Sequence, residues 1–170
     1  NKPIMSEKRF KTFKTKFDQY KKIYVQNRKH EMFAKWRYES SLLGYSYSHN
    51  LRDCFIDRFR SLQDLRTIND LSEREGFQVV GEIKDFFTRT SQNGNKYMIL
   101  SLGDNTATKN FLFMDNSREE KLTNFLKYNK LKKSQVIIVS GSKSRDSFFV
   151  NKITPVDTDI YMKLREVKSA

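Results

Sequence analysis

Asp157 and Asp159 stand two residues apart in the run PVDTDI. This is the Asp-x-Asp spacing with which carboxylates place two Mg²⁺ ions for phosphoryl transfer. The pair follows the last expected strand, and neither a third carboxylate nor a phosphate-holding glycine loop accompanies it. The run GSKS at Gly141–Ser144 lacks the spacing of a Walker loop. Cys54, His30 and His49 are the soft-metal ligands of the chain, and they are far apart. A structural zinc site normally needs four such ligands. Nothing marks a Ser or Cys as the nucleophile partner of either histidine. No catalytic residue and no metal site is therefore assigned, and no cofactor is expected.

What remains is cationic and aromatic. The formal net charge is +13, from 33 Lys and Arg against 20 Asp and Glu, with fourteen Phe and eight Tyr among 170 residues. A surface this basic attracts polyanions, nucleic acid first and an acidic membrane second. A merely solvated lysine-rich surface is the bland alternative. The charge is uneven: residues 1–38 hold 12 Lys and Arg against 3 Asp and Glu, a net of +9, which leaves +4 for the rest. With one cysteine no internal disulfide forms. No apolar run approaches the roughly 18 residues of a membrane span, and no signal peptide is evident. The chain reads as intracellular. It starts at Asn1, as an excised fragment or a processed protein would.

The elements follow from periodicity. Phe10, Phe13, Phe17, Tyr20 and Tyr24 recur at steps of three and four, so residues 7–43 read as helix, with a break near Asn27 left open. Ser6 fits a cap and Gly44 a C-terminal stop. Leu51, Phe55, Phe59 and Leu62 keep helical spacing, Leu65, Ile68 and Leu71 extend the apolar set, and Glu73–Gly76 reads as a boundary. From Phe77 the period changes to that of strands: 78–87, 97–102, 109–114, 135–140 and 147–153. Asn93-Gly94 marks a hairpin turn, and Ser117–Tyr128 has helical spacing. The class is α+β: a basic, mostly helical region over 1–75, a barrel domain over 76–156 and a tail over 157–170. Five strands with one helix between the third and fourth is the OB-fold plan, with Gly81 a cheap place for the first strand to bend. Other small barrels fit the pattern less closely.

OB barrels bind strands across their second and third strands and the adjoining loops. Aromatics stack on bases while Lys and Arg meet phosphates. The candidates are Arg89, Lys96, Tyr97, Lys109, Phe111 and Phe113 on the sheet, and Lys143, Arg145 and Phe148 around the last hairpin. Alternation allows Phe111 and Phe113, or Leu112 and Met114, to face inward, but not both sets. Arg89, Lys96 and Arg145 are expected outside in either case, since cations seldom belong in a core.

Two stretches carry a resemblance. Glu39–Leu51, ESSLLGYSYSHNL, resembles the segment of bacterial DNA polymerase III alpha subunits in which Glu-x-x-Leu-Leu-Gly and an aromatic precede Ser-Gly-His-Pro-Leu. Glu39, Leu42, Leu43, Gly44, Tyr45, Ser48, His49 and Leu51 match; the Gly before His49 is missing, and Asn50 replaces Pro. Val79–Asp115 resembles the OB domain that follows in the same family, through Val-x-Gly-x-Ile, the Asn-Gly hairpin, Lys96–Leu102, Asp104 and Thr106, with Ala107 where Gly is frequent. Lys29–Phe33, KHEMF, faintly resembles the family's clamp-binding peptides but fits core packing better. The resemblance spans roughly residues 38–155, and residues 1–37 match nothing.

The resemblance implies a non-catalytic, template-holding module of a DNA-directed DNA polymerase, a nucleotidyltransferase whose catalytic carboxylates and Mg²⁺ lie upstream. It implies single-stranded DNA as partner, with other replisome proteins or upstream polymerase domains besides. It also implies the cytoplasm of a bacterial or phage-infected cell. An OB module that docks proteins, suggested by the aromatic stripe, and an RNA- or tRNA-binding OB domain are the alternatives.

Overall fold

A computed structural model of the chain describes residues 6–56, 65–71 and 76–156. Asp157 and Asp159, Phe59, Leu62, most of the expected boundary at 73–76 and the expected tail lie outside the described residues.

The expected helical stretch is two helices. Helix α1 spans Glu7–Asn27, a 3-10 turn takes Arg28–His30, and α2 spans Glu31–Leu43. Ser6 stands at the first N-cap, but its hydroxyl makes no capping bond. Gly44 ends α2 at φ +84° and donates its N–H to the Ser40 carbonyl. Glycine adopts this left-handed conformation without a Cβ clash. A short helix α3, Asp53–Ile56, follows.

Leu65, of the apolar set that extends the helical spacing, is not helical. With Arg66 it forms a two-residue strand, β1, paired parallel with Gln78 and Val79. The remaining elements are β2 (Gly76–Thr90), β3 (Lys96–Gly103), β4 (Thr108–Met114), α4 (Leu122–Tyr128), β5 (Val136–Ser144) and β6 (Ser147–Pro155). Gly94 at φ +78° makes the β2–β3 turn, as the Asn-Gly pair predicts.

Strands β2, β3 and β4 form an antiparallel meander; β4 pairs parallel with β6, and β6 pairs antiparallel with β5. Strand β5 returns to β2 and closes a five-stranded barrel. This is the OB plan. Fifteen residues long, β2 serves both sides: Gly76–Glu82 pair with β5, and Glu82–Thr90 pair with β3. Gly81 sits at the handover, where an added Cβ would meet Leu102 Cβ at 3.1 Å and Ile68 Cδ1 at 3.3 Å. The irregularity in pairing falls just beyond it, between Ile83 and Asp85.

Among the described residues two hydrophobic cores form. Inside the barrel, Val79, Met98, Leu100, Phe111, Phe113, Ile137 and Phe148 interlock, and Leu122 and Phe125 of α4 join them. The Phe113 and Phe125 rings meet edge-on at 5.7 Å. The second core lies outside the barrel, where Phe33, Ala34 and Trp36 of α2, with Leu51 and Phe55, cover Val80, Val136, Ile138 and Val156. Burying each of these large apolar side chains is worth about 1.5–3 kcal/mol, so the helix is held to the barrel by substantial hydrophobic contact. Phe33 of the KHEMF run belongs to this core.

Candidate nucleic-acid interface

Burial along the strands tells which side of the barrel is covered. Val136, Ile137, Ile138 and Val139 are consecutive and all buried, as are Val79 and Val80. A strand buried on both faces reads as a continuous apolar run. Here the inner side faces the barrel core and the outer side faces α2. Strands β3 and β4 alternate instead: Met98, Leu100, Leu102, Phe111 and Phe113 are fully buried, and their neighbours, the terminal Gly103 aside, are half-buried or exposed. The outer side of β3, β4 and β6 is therefore open to solvent.

Strand register arranges the open face in rows. Arg89, Tyr97 and Met114 lie side by side across β2, β3 and β4. Phe87, Ile99, Leu112 and Phe149 form the next row, reaching β6. Asp85, Ser101 and Asn110 form the third. Phe87 is 42% exposed, and the Arg89 guanidinium carbon lies 4.9 Å from its ring centre. Leu112, Met114, Arg118, Ser142, Phe149 and Asn151 line a shallow groove of about 350 Å³ on this side.

The face corrects part of the sequence reading. Phe111, Phe113 and Phe148 are core residues, at 0%, 0% and 8% exposure, and offer no ring to a base. The alternation left open between Phe111 with Phe113 and Leu112 with Met114 resolves toward the larger rings inside, where they pack against Phe77 and Phe125. The aromatic rings on the open face are instead the exposed Phe87 and the half-buried Tyr97 and Phe149. Sequence reasoning did not single out Phe87, Phe149 or Arg118. For Phe149 the signal was strand parity: in Ser147–Val150 the two adjacent phenylalanines must point to opposite sides.

The expected cations fall into two groups. Arg89 and Lys96 are exposed beside Tyr97 at the β2–β3 hairpin. Lys109 and Lys143 lie at the other end of the barrel, their ammonium groups 5.4 and 5.5 Å from the Phe148 ring centre. Arg145 is exposed in the adjoining β5–β6 turn, at φ +54°. Lys109 pairs with Leu102, five residues along β3 from Tyr97, so the two groups stand about 17 Å apart at ~3.4 Å per residue. By strand parity Lys96 shares the side of Met98, and Lys109 and Lys143 share that of Phe111 and Phe148, so these lysines stand at the rims of the barrel, and Arg89 is the expected cation that lies on the open face itself.

The turn from β3 to β4 fixes this sheet to the helices. Asp104 accepts hydrogen bonds from Thr106 N (2.7 Å), Thr106 Oγ (2.6 Å) and Ala107 N (3.0 Å), and from Ile68 N at 2.8 Å. Asn105 Oδ1 accepts from Trp36 Nε1 and from Leu51 N, each at 3.1 Å, and its amide donates to the Ser46 carbonyl at 2.6 Å. Only one orientation of the amide satisfies all three partners. Arg37 and Glu82 add an ion pair at 3.0 Å, both side chains 13% exposed. Within the Leu-Leu-Gly segment, Glu39 accepts from Ser46 Oγ, Ser48 N and Ser48 Oγ. These bonds, Ser46 foremost, hold its carboxyl below the usual range. At the foot of the open face, hydrogen bonds from Thr123 similarly lower the Asp115 carboxyl.

Among the described residues no group of three or more His, Cys, Asp or Glu is placed to hold a metal, and no helix is long and apolar enough to cross a membrane. No family model matches the chain, and no curated protein matches it. Solved structures do. One is a domain of replication protein A from Methanococcus maripaludis, 18% identical over 54% of this chain and 94% of that one, with a TM-score of 0.43. Another is the mitochondrial single-stranded DNA binding protein Rim1 from S. cerevisiae, 21% identical over 50% and 97%, with a TM-score of 0.39. A third is RecG bound to a three-way DNA junction, 21% identical over 58% of this chain and 13% of that one, with a TM-score of 0.41. The barrel itself stands on the strand order and closure described above.

Proposed function

We propose that this chain is a single-stranded DNA-binding module, and that it serves as the template-holding C-terminal region of a replicative polymerase of the bacterial polymerase III alpha type. The open β3–β4–β6 face carries the first part: Phe87, Tyr97 and Phe149 share it with Arg89, and Lys96 at one rim of the barrel and Lys109, Lys143 and Arg145 at the other stand beyond its two ends. Stacking of bases on Phe87, Tyr97 and Phe149 supplies sequence-tolerant affinity, worth roughly 1–3 kcal/mol per base. Arg89, Lys96, Lys109, Lys143 and Arg145 meet phosphates at the ends. The polymerase assignment rests on the Leu-Leu-Gly segment followed by the barrel. It is supported by the contact between them, since Ser46 and Leu51 of that segment bond to Asn105 of the barrel. The catalytic carboxylates and Mg²⁺ would belong to the parent polymerase.

A second reading has its own observation. Leu42, Leu43, Tyr45 and Tyr47 of the same segment are 51–67% exposed. In a larger polymerase this patch would pack against an upstream domain, so protein docking and DNA binding coexist on different sides.

Fluorescence anisotropy with labelled oligo(dT), duplex DNA and single-stranded RNA tests the proposal. Single-stranded DNA should bind best, with log affinity falling against log salt by about 0.7 per neutralised phosphate. Exchanging Arg89, Lys96 and Arg145 for Glu should weaken binding strongly while leaving the fold intact. A triple variant that binds like the parent sinks the proposed face. Tighter RNA binding would move the chain to the RNA-binding alternative.

A further inference from the structure

Helix α1 carries a seam for which the barrel has no use. Phe10, Phe13 and Phe17 are 58%, 59% and 54% exposed, although burying such rings is strongly favourable. Their steps of three and four are those of the a and d positions of a heptad, and the 21 residues of the helix make three heptads. With Phe10 and Phe17 at a and Phe13 at d, the e and g positions of the helix are Glu7, Arg9, Lys14, Lys16, Lys21 and Ile23, so the four cations Arg9, Lys14, Lys16 and Lys21, all exposed, line the seam against the single acid at its first residue. The helix carries seven Lys and Arg against two Asp and Glu.

This layout selects among occupants. In a coiled coil the e and g residues set the choice of partner. A parallel second copy of α1 would oppose Arg9 to Lys14 and Lys16 to Lys21, and an antiparallel one Lys14 to Lys14 and Arg9 to Lys16 with only the Glu7–Lys21 contact attractive, so like charges dominate and repel in both. A membrane surface takes a broad apolar face, typically at least 100° wide, and here the lysines stand directly beside a narrow seam. A helix with apolar a and d residues and Glu or Asp alongside them satisfies both the seam and the charges.

We propose that α1 is a docking helix for an acidic amphipathic helix of a partner protein, which pairs with it along the Phe10–Phe13–Phe17 seam in coiled-coil fashion.

The test uses the whole chain and a fluorescein-labelled synthetic three-heptad peptide with Leu at a and d and Glu at e and g. A matched peptide carries Lys at e and g. The Glu peptide should bind saturably with one-to-one stoichiometry, and the Lys peptide about tenfold or more weaker, a preference that shrinks as salt screens the charges. Phe13→Glu should remove binding while oligo(dT) binding is kept. The triple exchange Lys14→Glu, Lys16→Glu and Lys21→Glu leaves the seam intact and should transfer the preference to the Lys peptide. This second variant decides the matter even where Phe13→Glu loosens the helix. Equal affinity for the two peptides, or no binding of the Glu peptide, overturns the proposal. So does sedimentation showing that the chain dimerises through the seam. So does flotation with phosphatidylserine vesicles that depends on Phe13 while neither peptide binds.

Discussion

Replacing Asn105 with Ala removes the polar joint between barrel and helices without touching either hydrophobic core. Three hydrogen bonds disappear, and the donors left behind belong to Trp36 and Leu51, which are 4% and 0% exposed. Each lost bond is worth about 0.5–1.5 kcal/mol, more where a buried donor is orphaned. The side chain of Asn105 is itself exposed, so water can enter from its outer side and meet part of the need. The expected cost is therefore about 2 kcal/mol, toward the lower end of the sum. For a chain of this size that lowers Tm by about 4–8 °C. The assay is built in: Trp36 is the single tryptophan of the chain, stacked on Phe33 with the Arg37 guanidinium 5.2 Å from its ring centre. Its emission should shift to the red in the variant, because water replaces the amide at Nε1. Asn105→Asp keeps the two acceptor contacts and sets an oxygen against the Ser46 carbonyl, so its loss should be partial. An Asn105→Ala protein that melts within about 1 °C of the parent, with unchanged emission, would refute the joint.

The other expectations concern single positions. Arg145 occupies a left-handed conformation at φ +54°, which costs roughly 1 kcal/mol for a residue with a Cβ. Arg145→Gly should raise Tm while weakening oligo(dT) binding; a variant that loses stability contradicts the strain. Gly141 marks the irregularity between β5 and β6, and a Cβ there would lie 1.9 Å from the Phe149 carbonyl oxygen. Gly141→Ala should cost on the order of 2 kcal/mol or more by urea unfolding and displace Phe149 from the open face, so stability and DNA affinity fall together. Unchanged affinity would detach Phe149 from binding. Burial, with Asp53 nearby, pushes the Cys54 thiol up to about 12. Iodoacetamide at pH 8 should leave it unmodified in the native chain and alkylate it readily in denaturant, since the thiolate is the nucleophile. Fast native alkylation would show that the helical attachment opens.

The strands were legible because their chemistry is local. Asn93-Gly94 marks a turn on its own, and Gly44 marks a helix end on its own. Strand order followed from these marks, and with it the barrel. Sidedness was harder, because Phe111 and Leu112 are both acceptable inside a barrel. The choice was made by partners distant in sequence, Phe77 and Phe148 around Phe111 and Phe125 against Phe113. The continuous run Val136–Val139 did hold a clue that its outer side is covered, since an OB strand facing water would alternate. What covers it, α2 with Leu51 and Phe55, is a long-range fact that spacing within either segment does not encode. Strand β1 escaped for a related reason: two residues have no period, and only the free side of β2 gives them a partner. That Arg89, Lys96 and Arg145 are exposed was the easiest feature of the candidate face to read, because charge keeps them outside whichever way the sheet turns. Which aromatics share the open face was the hardest to read, since Phe suits either side.

The double pairing of β2 also sets an order of events. Its second half finds β3 across a five-residue loop and can form a hairpin early, since closing a short loop costs little entropy. Its first half waits for β5, more than fifty residues further along, and until then presents an unpaired apolar edge at Phe77–Val80. A chain emerging from a ribosome passes through that state before residues 136–144 exist. Helix α2 is already made by then and carries Phe33 and Trp36, the groups that cover Val80 in the finished protein. Packed early on Val80, this helix would cover the outward apolar face of the waiting strand, acting as a built-in chaperone against hydrophobic association during the interval before the barrel closes.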